Sequence, residues 1–140
     1  MSLGDCIFCK IVSGAVPARK VLETDDCVAF LDVAPVAPGH CLLVPRRHLD
    51  LFEQMPADLA GAVLRHLAAL GKAVRTATQA DGFNVLLNNG KTAGQEVMHV
   101  HVHVIPRKAD DGLGYRWRPQ PLDEATADAL RRRIAAELGA

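Results

Sequence analysis

Met98-His99-Val100-His101-Val102-His103-Val104-Ile105 is the stretch whose reading decides the fold. In a β-strand successive side chains point to opposite faces, so one face carries His99, His101 and His103 and the other Val100, Val102 and Val104. On a helix the same histidines would be spread around the cylinder. Val97, Ile105 and the β-branched valines favour strand, and Pro106, which cannot donate to a ladder, is expected to end it. Neighbouring histidines then lie about 6.5–7 Å apart at the backbone, from a rise of roughly 3.3 Å per residue. Such rings can engage one small anion together, or two can hold a transition metal with a distant third ligand. A nucleophilic or acid/base constellation is the other reading, and the strand alone does not choose. Three titratable rings in a row bring a proton cost without a packing gain, which argues for chemistry.

The chain around this stretch has 140 residues, with 16 basic and 16 acidic side chains. That length fits one domain, 1–140, with a core that needs no staples. A balanced charge gives no footprint for nucleic acid or a membrane surface, although a local phosphate site remains compatible with it. No apolar run reaches spanning length and no secretory pattern opens the chain, so a cytoplasmic location is expected. Residues 1–4 read as a disordered leader. Four cysteines in such a sequence argue against a disulfide framework, leaving Cys6-x-x-Cys9 as a metal half-site, a redox pair or chance.

In chain order, Cys6 to Ile11 reads as a short apolar segment with one turn of helix, punctuated by Ser13-Gly14 and Pro17. Strands are expected at Lys20–Glu23, Cys27–Leu31, His40–Val44, Phe83–Leu87 and the histidine stretch. Between the third and fourth, Pro56 suits a helix start. From Leu59 the spacing of Val63, Leu67, Leu70 and Val74 predicts one long helix, with Arg65, Lys72 and Arg75 opposite. A loop carrying Tyr115 and Trp117 follows Pro106. Asp123 is placed to cap a terminal helix whose Leu130, Ile134 and Leu138 mark one face, so 109–140 is an extension with a helix. Strands grouped around one long helix predict an α+β fold with a five-stranded, mainly antiparallel sheet.

The pattern His-φ-His-φ-His-φ-φ, with φ hydrophobic, resembles the signature of the histidine-triad (HIT) superfamily, and His99 through Ile105 match it throughout. Cys6-Ile7-Phe8-Cys9-Lys10-Ile11, Ser13-Gly14 and Val16-Pro17-Ala18 look like that family's N-terminal segment. Phe30-Leu31-Asp32, Ala37-Pro38-Gly39-His40, Leu43-Val44-Pro45 and His48 look like its central region, and Asn88, Gly90 and Gly94-Gln95 complete the likeness. It covers residues 5 to 108; beyond Lys108 the tail resembles bacterial-type HIT hydrolases only.

The resemblance implies a HIT-like fold, a homodimer and transfer of a nucleoside monophosphate to a histidine, then to water. Purine nucleotides such as adenosine phosphoramidates and diadenosine polyphosphates are the implied substrates, with no catalytic cofactor. It makes His101 the nucleophile, held through its other ring nitrogen by a carbonyl of the same strand, with His99, His103 and His40 as its catalytic companions. Phe8, Val16, Phe30 and Val33 would wall the base, although without the resemblance ordinary core packing is the better reading of each. Asp32 would accept from ribose hydroxyls and Asn88 would bind the ribose-phosphate portion. Gly94 would admit the phosphate to the backbone, and the Gln95 amide and side chain would donate to it. Glu96 stands where the family often carries a small hydroxyl residue that assists the leaving group. A glutamate can serve as an acid there only if its pKa is raised or it meets the leaving group directly. Finally, Cys6, Cys9, His48 and His99 resemble the four-ligand structural Zn2+ site of bacterial-type members, a closed set with no open position for water.

Overall fold

The computed structural model describes residues 3–114 and 117–139; Met1, Ser2 and Tyr115, named above as leader and loop, lie outside the described residues. Five strands form one antiparallel sheet: β1 (Lys20–Glu23), β2 (Cys27–Leu31), β3 (Cys41–Pro45), β4 (Gly82–Leu86) and β5 (Val102–Arg107). Their order across the sheet is β1-β2-β3-β5-β4. The α+β reading and the strand count are as the sequence predicts.

Alternation along the central strands creates two separate cores. Cys27 and Ala29 of β2, Cys41 and Leu43 of β3, and Val102 and Val104 of β5 turn to one face, where they pack with Val63, Leu70 and Val74. Val28 and Phe30, with Leu42 and Val44, turn to the other and pack with Phe8 and Ile11. Each fully buried aliphatic contributes roughly 1.5–3 kcal/mol. The valines of the histidine stretch therefore seat the sheet on a helical layer, which commits His103 and Ile105 to the opposite side.

Three expectations change in detail. The histidine strand starts only at Val102: the Val100 N–H donates to the Leu49 carbonyl and the His99 N–H to that of Val97, so 97–101 enters as an irregular arm. Pro106 lies inside β5, opposite Phe83, instead of ending it. Pairing with β3 stops at Val104, so no ladder partner waits for the proline's missing N–H. The single long helix is two, α2 (Ala57–Leu64) and α3 (Leu67–Thr78), joined at Arg65–His66 where the His66 N–H reaches back only to Val63. No proline or glycine marks that joint, and Val63, Leu70 and Val74 still share one core.

At the N-terminus, Leu3–Asp5 forms a 3-10 turn. Helix α1 (Ile7–Ser13) is longer than the single turn expected, capped by the Cys6 sulfur and closed by Gly14 in the left-handed region. Helix α4 (Glu124–Glu137) begins as predicted, with the Asp123 carboxylate accepting from the Thr126 N–H at 2.8 Å. Its Leu130, Ile134 and Leu138 are exposed.

Helix α3 approaches β4 so closely that a Cβ on Gly71 would sit 2.3 Å from the Phe83 ring. Gly71→Ala should therefore destabilise the protein by about 1–3 kcal/mol through overpacking, despite the roughly 1 kcal/mol of helix propensity it gains. A urea midpoint equal to or above that of the parent would contradict this.

Candidate active site and metal cluster

On the α1 side of the sheet a cavity of about 550 Å³ opens beside β5, within the range that holds a mononucleotide. Phe8, Val16, Phe30 and Val33 line it, and so do Asp32, His40, Asn88, Gly94, Glu96, His101 and His103. Phe8 and Phe30 meet edge-to-face, 5.7 Å between ring centres, and are buried but for the edge they offer the cavity. Val33 is 88% exposed and stands at the rim. Sequence reasoning missed Ile7, Leu42 and Ile105; the last two lie on the same sheet face as His103, which two-residue alternation and the Leu42–His103 register make readable.

The three histidines stay together. His101 lies 5.0 Å from His103 and 5.0 Å from Phe8, ring centre to ring centre, and Phe8 lies 5.8 Å from His99. His101 Nδ1–H donates to the His99 carbonyl at 2.7 Å, which leaves Nε2 with its lone pair as the ring atom available to a ligand. Burial holds the His101 pKa below the ordinary histidine value, opposed by that bond and by the Asp32 and Glu96 charges, so the ring is neutral at pH 7.

His40 and His103 form a directed chain. The Val36 N–H donates to His40 Nδ1 at 3.2 Å, so in the neutral ring the proton sits on Nε2 and is donated to His103 Nδ1 at 2.9 Å. That assigns the remaining His103 proton to Nε2, away from His40. Burial and the two neighbouring histidines push the His103 pKa down to about 4, and burial lowers that of His40 although Asp32 opposes it. Asp32 Oδ2, 3.6 Å from His40 Nε2, is thus a polar neighbour more than an ion-pair partner; its Oδ1 accepts from the Ala34 N–H. The backbone N–H of Val36, which sets the direction of the chain, has no signature in the sequence.

Before the histidine arm, Gly94 adopts φ +100°, and a Cβ there would come within 3.3 Å of the Asn88 side chain. Asn88 Nδ2 donates to the Gly94 carbonyl at 3.4 Å and still lines the cavity. Gln95 departs from its expected task of donating to phosphate. Its side chain is 4% exposed, accepts from the Gly90 N–H and donates to the Asp50 and Val97 carbonyls, while its own N–H goes to Gly90. Every donor is occupied, so Gln95 is the clamp that fixes the loop and Glu96 is the side chain that reaches the cavity.

A second constellation sits behind Phe8. Cys6 Sγ, Cys9 Sγ, His48 Nδ1 and His99 Nδ1 all lie within 4.8 Å of one another. The His99–His48 nitrogens are 3.1 Å apart, and sulfur-to-nitrogen separations run 3.2 Å, 3.4 Å and 3.6 Å. Tetrahedral zinc would ask for about 3.4 Å between nitrogens and about 3.6 Å between sulfur and nitrogen, from its bond lengths. The outer bonds suit a metal as well: His99 Nε2–H donates to the Pro45 carbonyl at 2.9 Å and His48 Nε2–H to Asp50 at 2.7 Å, leaving both Nδ1 lone pairs pointing inward. Burial pushes His99 down to about 4, neutral as a ligand must be. These four residues could hold a metal ion. Asp32, His40 and His103 also lie within 4.8 Å of one another. There, however, His40 Nε2 carries the proton, so that set presents no matching lone pairs.

Residues 13–110 match the HIT domain family model. The chain is 36% identical over 142 residues to "Adenosine 5'-monophosphoramidase HNT1" of Candida albicans, covering 98% of this chain and 93% of that protein. It is 41% identical over 118 residues to "Adenylylsulfatase HINT3" of Arabidopsis thaliana, covering 84% of this chain but only 58% of the relative's length. A crystal structure of a Zn-bound histidine triad family protein from Mycobacterium smegmatis superposes with a TM-score of 0.71 at 34% identity, covering 99% of both chains. With that match spanning most of the chain and including the histidine stretch, the chain belongs to the HIT domain family.

Proposed function

We propose that this protein is a nucleotide hydrolase that transfers a nucleoside monophosphate to His101 Nε2 and then to water, releasing an AMP-like product. The observation that carries the proposal is the buried 2.7 Å bond from His101 Nδ1–H to the His99 carbonyl inside a nucleotide-sized cavity. It fixes the tautomer, leaves Nε2 nucleophilic, and supports the ring when attack makes it cationic. His103 Nε2–H, directed by the Val36–His40 chain, is a donor for a phosphoryl oxygen. Asp32 serves the ribose hydroxyls, Asn88 and Gly94 the ribose-phosphate, and Phe8, Val16, Phe30 and Val33 the purine. Relatives named for phosphoramidase and adenylylsulfatase activity support a reaction at the α-phosphate; adenosine phosphoramidates and diadenosine polyphosphates are the substrates to try.

Cys6, Cys9, His48 and His99 hold structural Zn2+ in this reading, which when bound cross-links the start of α1 to the histidine arm and offers no site for water. A metal hydrolase built on the triad is disfavoured because His40 donates into His103 Nδ1. The four free cysteines suit the reducing cytoplasm. The exposed apolar residues of β4 and α4 supply surface for a homodimer, which light scattering would read as twice 15.1 kDa.

The test is to trap the intermediate. Mixing with adenosine phosphoramidate and quenching in alkaline denaturant should leave one adenylyl group on the peptide carrying His101. Product formation with no adenylylated peptide at any time point would dismiss the covalent route.

A further inference from the structure

Of the four cysteines, one pair alone is placed to form a disulfide within the chain. Cys27 and Cys41 lie on paired strands, with Cys27 opposite Pro45 and Cys41 opposite Leu31. That register sets them four ladder positions apart, about 13 Å along the strands and out of reach of an S–S bond. Both are buried in the core on the sheet face away from α1. Cys6 and Cys9 belong to the opposite core and span the start of α1, with their sulfurs within 4.8 Å of each other. Cys-x-x-Cys is the spacing of the reducible disulfides of thiol oxidoreductases. The two environments are unequal. Cys6 is fully buried and its sulfur accepts from the Cys9 N–H at 3.4 Å, whereas Cys9 is partly exposed. A small oxidant therefore meets Cys9 first, and Cys6 stands behind it as the resolving sulfur. Much depends on this pair: the two sulfurs face His99 Nδ1 at 3.4 Å and 3.6 Å, and Phe8, in the turn between them, packs on His99 and His101.

We propose that Cys6-x-x-Cys9 is a reversible oxidation site, closed to a disulfide by peroxides, and that closing it empties the four-residue metal cluster and loosens the nucleotide site. The proposal rests on the zinc reading above. In the first step, written for hydrogen peroxide, the Cys9 Sγ thiolate attacks a peroxide oxygen. The O–O bond breaks, leaving a sulfenic acid on Cys9 and a hydroxide that takes a proton from solvent. In the second step the Cys6 Sγ thiolate attacks the Cys9 sulfur. The S–S bond forms, the S–O bond breaks, and a second hydroxide leaves to be protonated in turn. The two sulfurs have given up two electrons, and one peroxide has become two waters. A disulfide offers no thiolate, so His48 and His99 remain as two ligands of a set that needs four. Drawing the sulfurs together also moves the turn between them, and with it Phe8, the ring shared by the cluster and the His101 cavity. Because Cys9 is partly exposed, an external thiol can attack the bond and reopen it.

The experiment adds hydrogen peroxide to the zinc-loaded protein. It follows the metal with a chromogenic chelator, the peptide carrying Cys6 and Cys9 by mass spectrometry, and AMP affinity by titration. One zinc should be released per chain as that peptide loses two hydrogens, and AMP should bind about 10-fold more weakly. Dithiothreitol with added zinc should restore all three. Cys9→Asp keeps a ligand at this position and removes the disulfide, so peroxide should release its zinc about 10-fold more slowly or not at all. A pair that stays reduced, a pair that goes to sulfinic acid with no disulfide formed, or zinc lost equally fast from Cys9→Asp overturns the proposal and leaves the zinc reading intact. A disulfide that leaves AMP affinity unchanged overturns it as well. Protein that takes up no zinc before treatment overturns both.

Discussion

His101→Ala should lower the rate of nucleotide hydrolysis by roughly 10⁴-fold or more, because it deletes the atom that attacks and carries the nucleotidyl group. The loss should fall on kcat. AMP affinity should change only a few-fold, since the base wall of Phe8 and Phe30, the Asp32 carboxylate and the His40–His103 chain do not depend on the ring of His101 for their own bonds. A nucleotide-binding protein with little turnover makes the opposite prediction: its parent form already shows negligible rates, and the substitution alters binding alone. The acid limb of the pH–rate profile gives an independent reading. Attack needs the unprotonated ring, and burial lowers the pKa of His101 while the pKa of His103 is pushed down to about 4. Activity should therefore persist as pH falls through about 6.5, the ordinary histidine value, and decline only below it. Activity surviving His101→Ala, or an acid limb above the ordinary value, would rule out this histidine as the nucleophile.

What the sequence made legible follows from how local each cause is. Alternation of valine and histidine is a property of adjacent residues, so the two faces of β5 could be read directly, as could the capping of α4 by Asp123. The Pro-Gly-His run placed His40 at the head of β3 for the same reason. Causes that lie far apart in the chain were harder to see. Where the arm 97–101 leaves the ladder is decided by Leu49, some fifty positions upstream, which takes the Val100 N–H. Whether Pro106 interrupts a strand depends on where β3 begins, not on the proline. Gln95 looked like a phosphate ligand because it precedes the histidines, and the Asp50 carbonyl that captures its amide cannot be read from either segment alone. The break between α2 and α3 left no trace in composition. Residue types announced which chemistry was present; tautomers, set by Val36, Pro45 and a carbonyl of the arm itself, determine which nitrogen performs it.

The tie between the two clusters sets the second large effect. His99 serves both: its ring turns to Cys6, Cys9 and His48, and its carbonyl holds His101. Phe8, flanked by the two cysteines in sequence, packs on His99, on His101 and on Phe30. Removing zinc with a chelator, or making Cys6→Ser together with Cys9→Ser, should therefore cost more than a remote staple would. Thermal stability should fall by on the order of 10 °C, as expected for loss of a ligand held at about 1,000 times its Kd. AMP affinity should fall in the same samples, and by linkage AMP should tighten zinc by the same factor. The pH dependence has a definite sign. Burial and the neighbouring Cys6 sulfur push the Cys9 thiol up to about 11, so a metal must displace thiol protons on binding. Zinc affinity should thus weaken as pH falls, by about tenfold per unit for each thiol proton released. Calorimetry in buffers of different ionisation heat counts those protons, and elemental analysis counts the metal. Metal-free protein as purified, with a melting temperature and AMP affinity indifferent to added zinc and to both serine substitutions, would show that the four inward lone pairs hold nothing and that His101 is positioned without them.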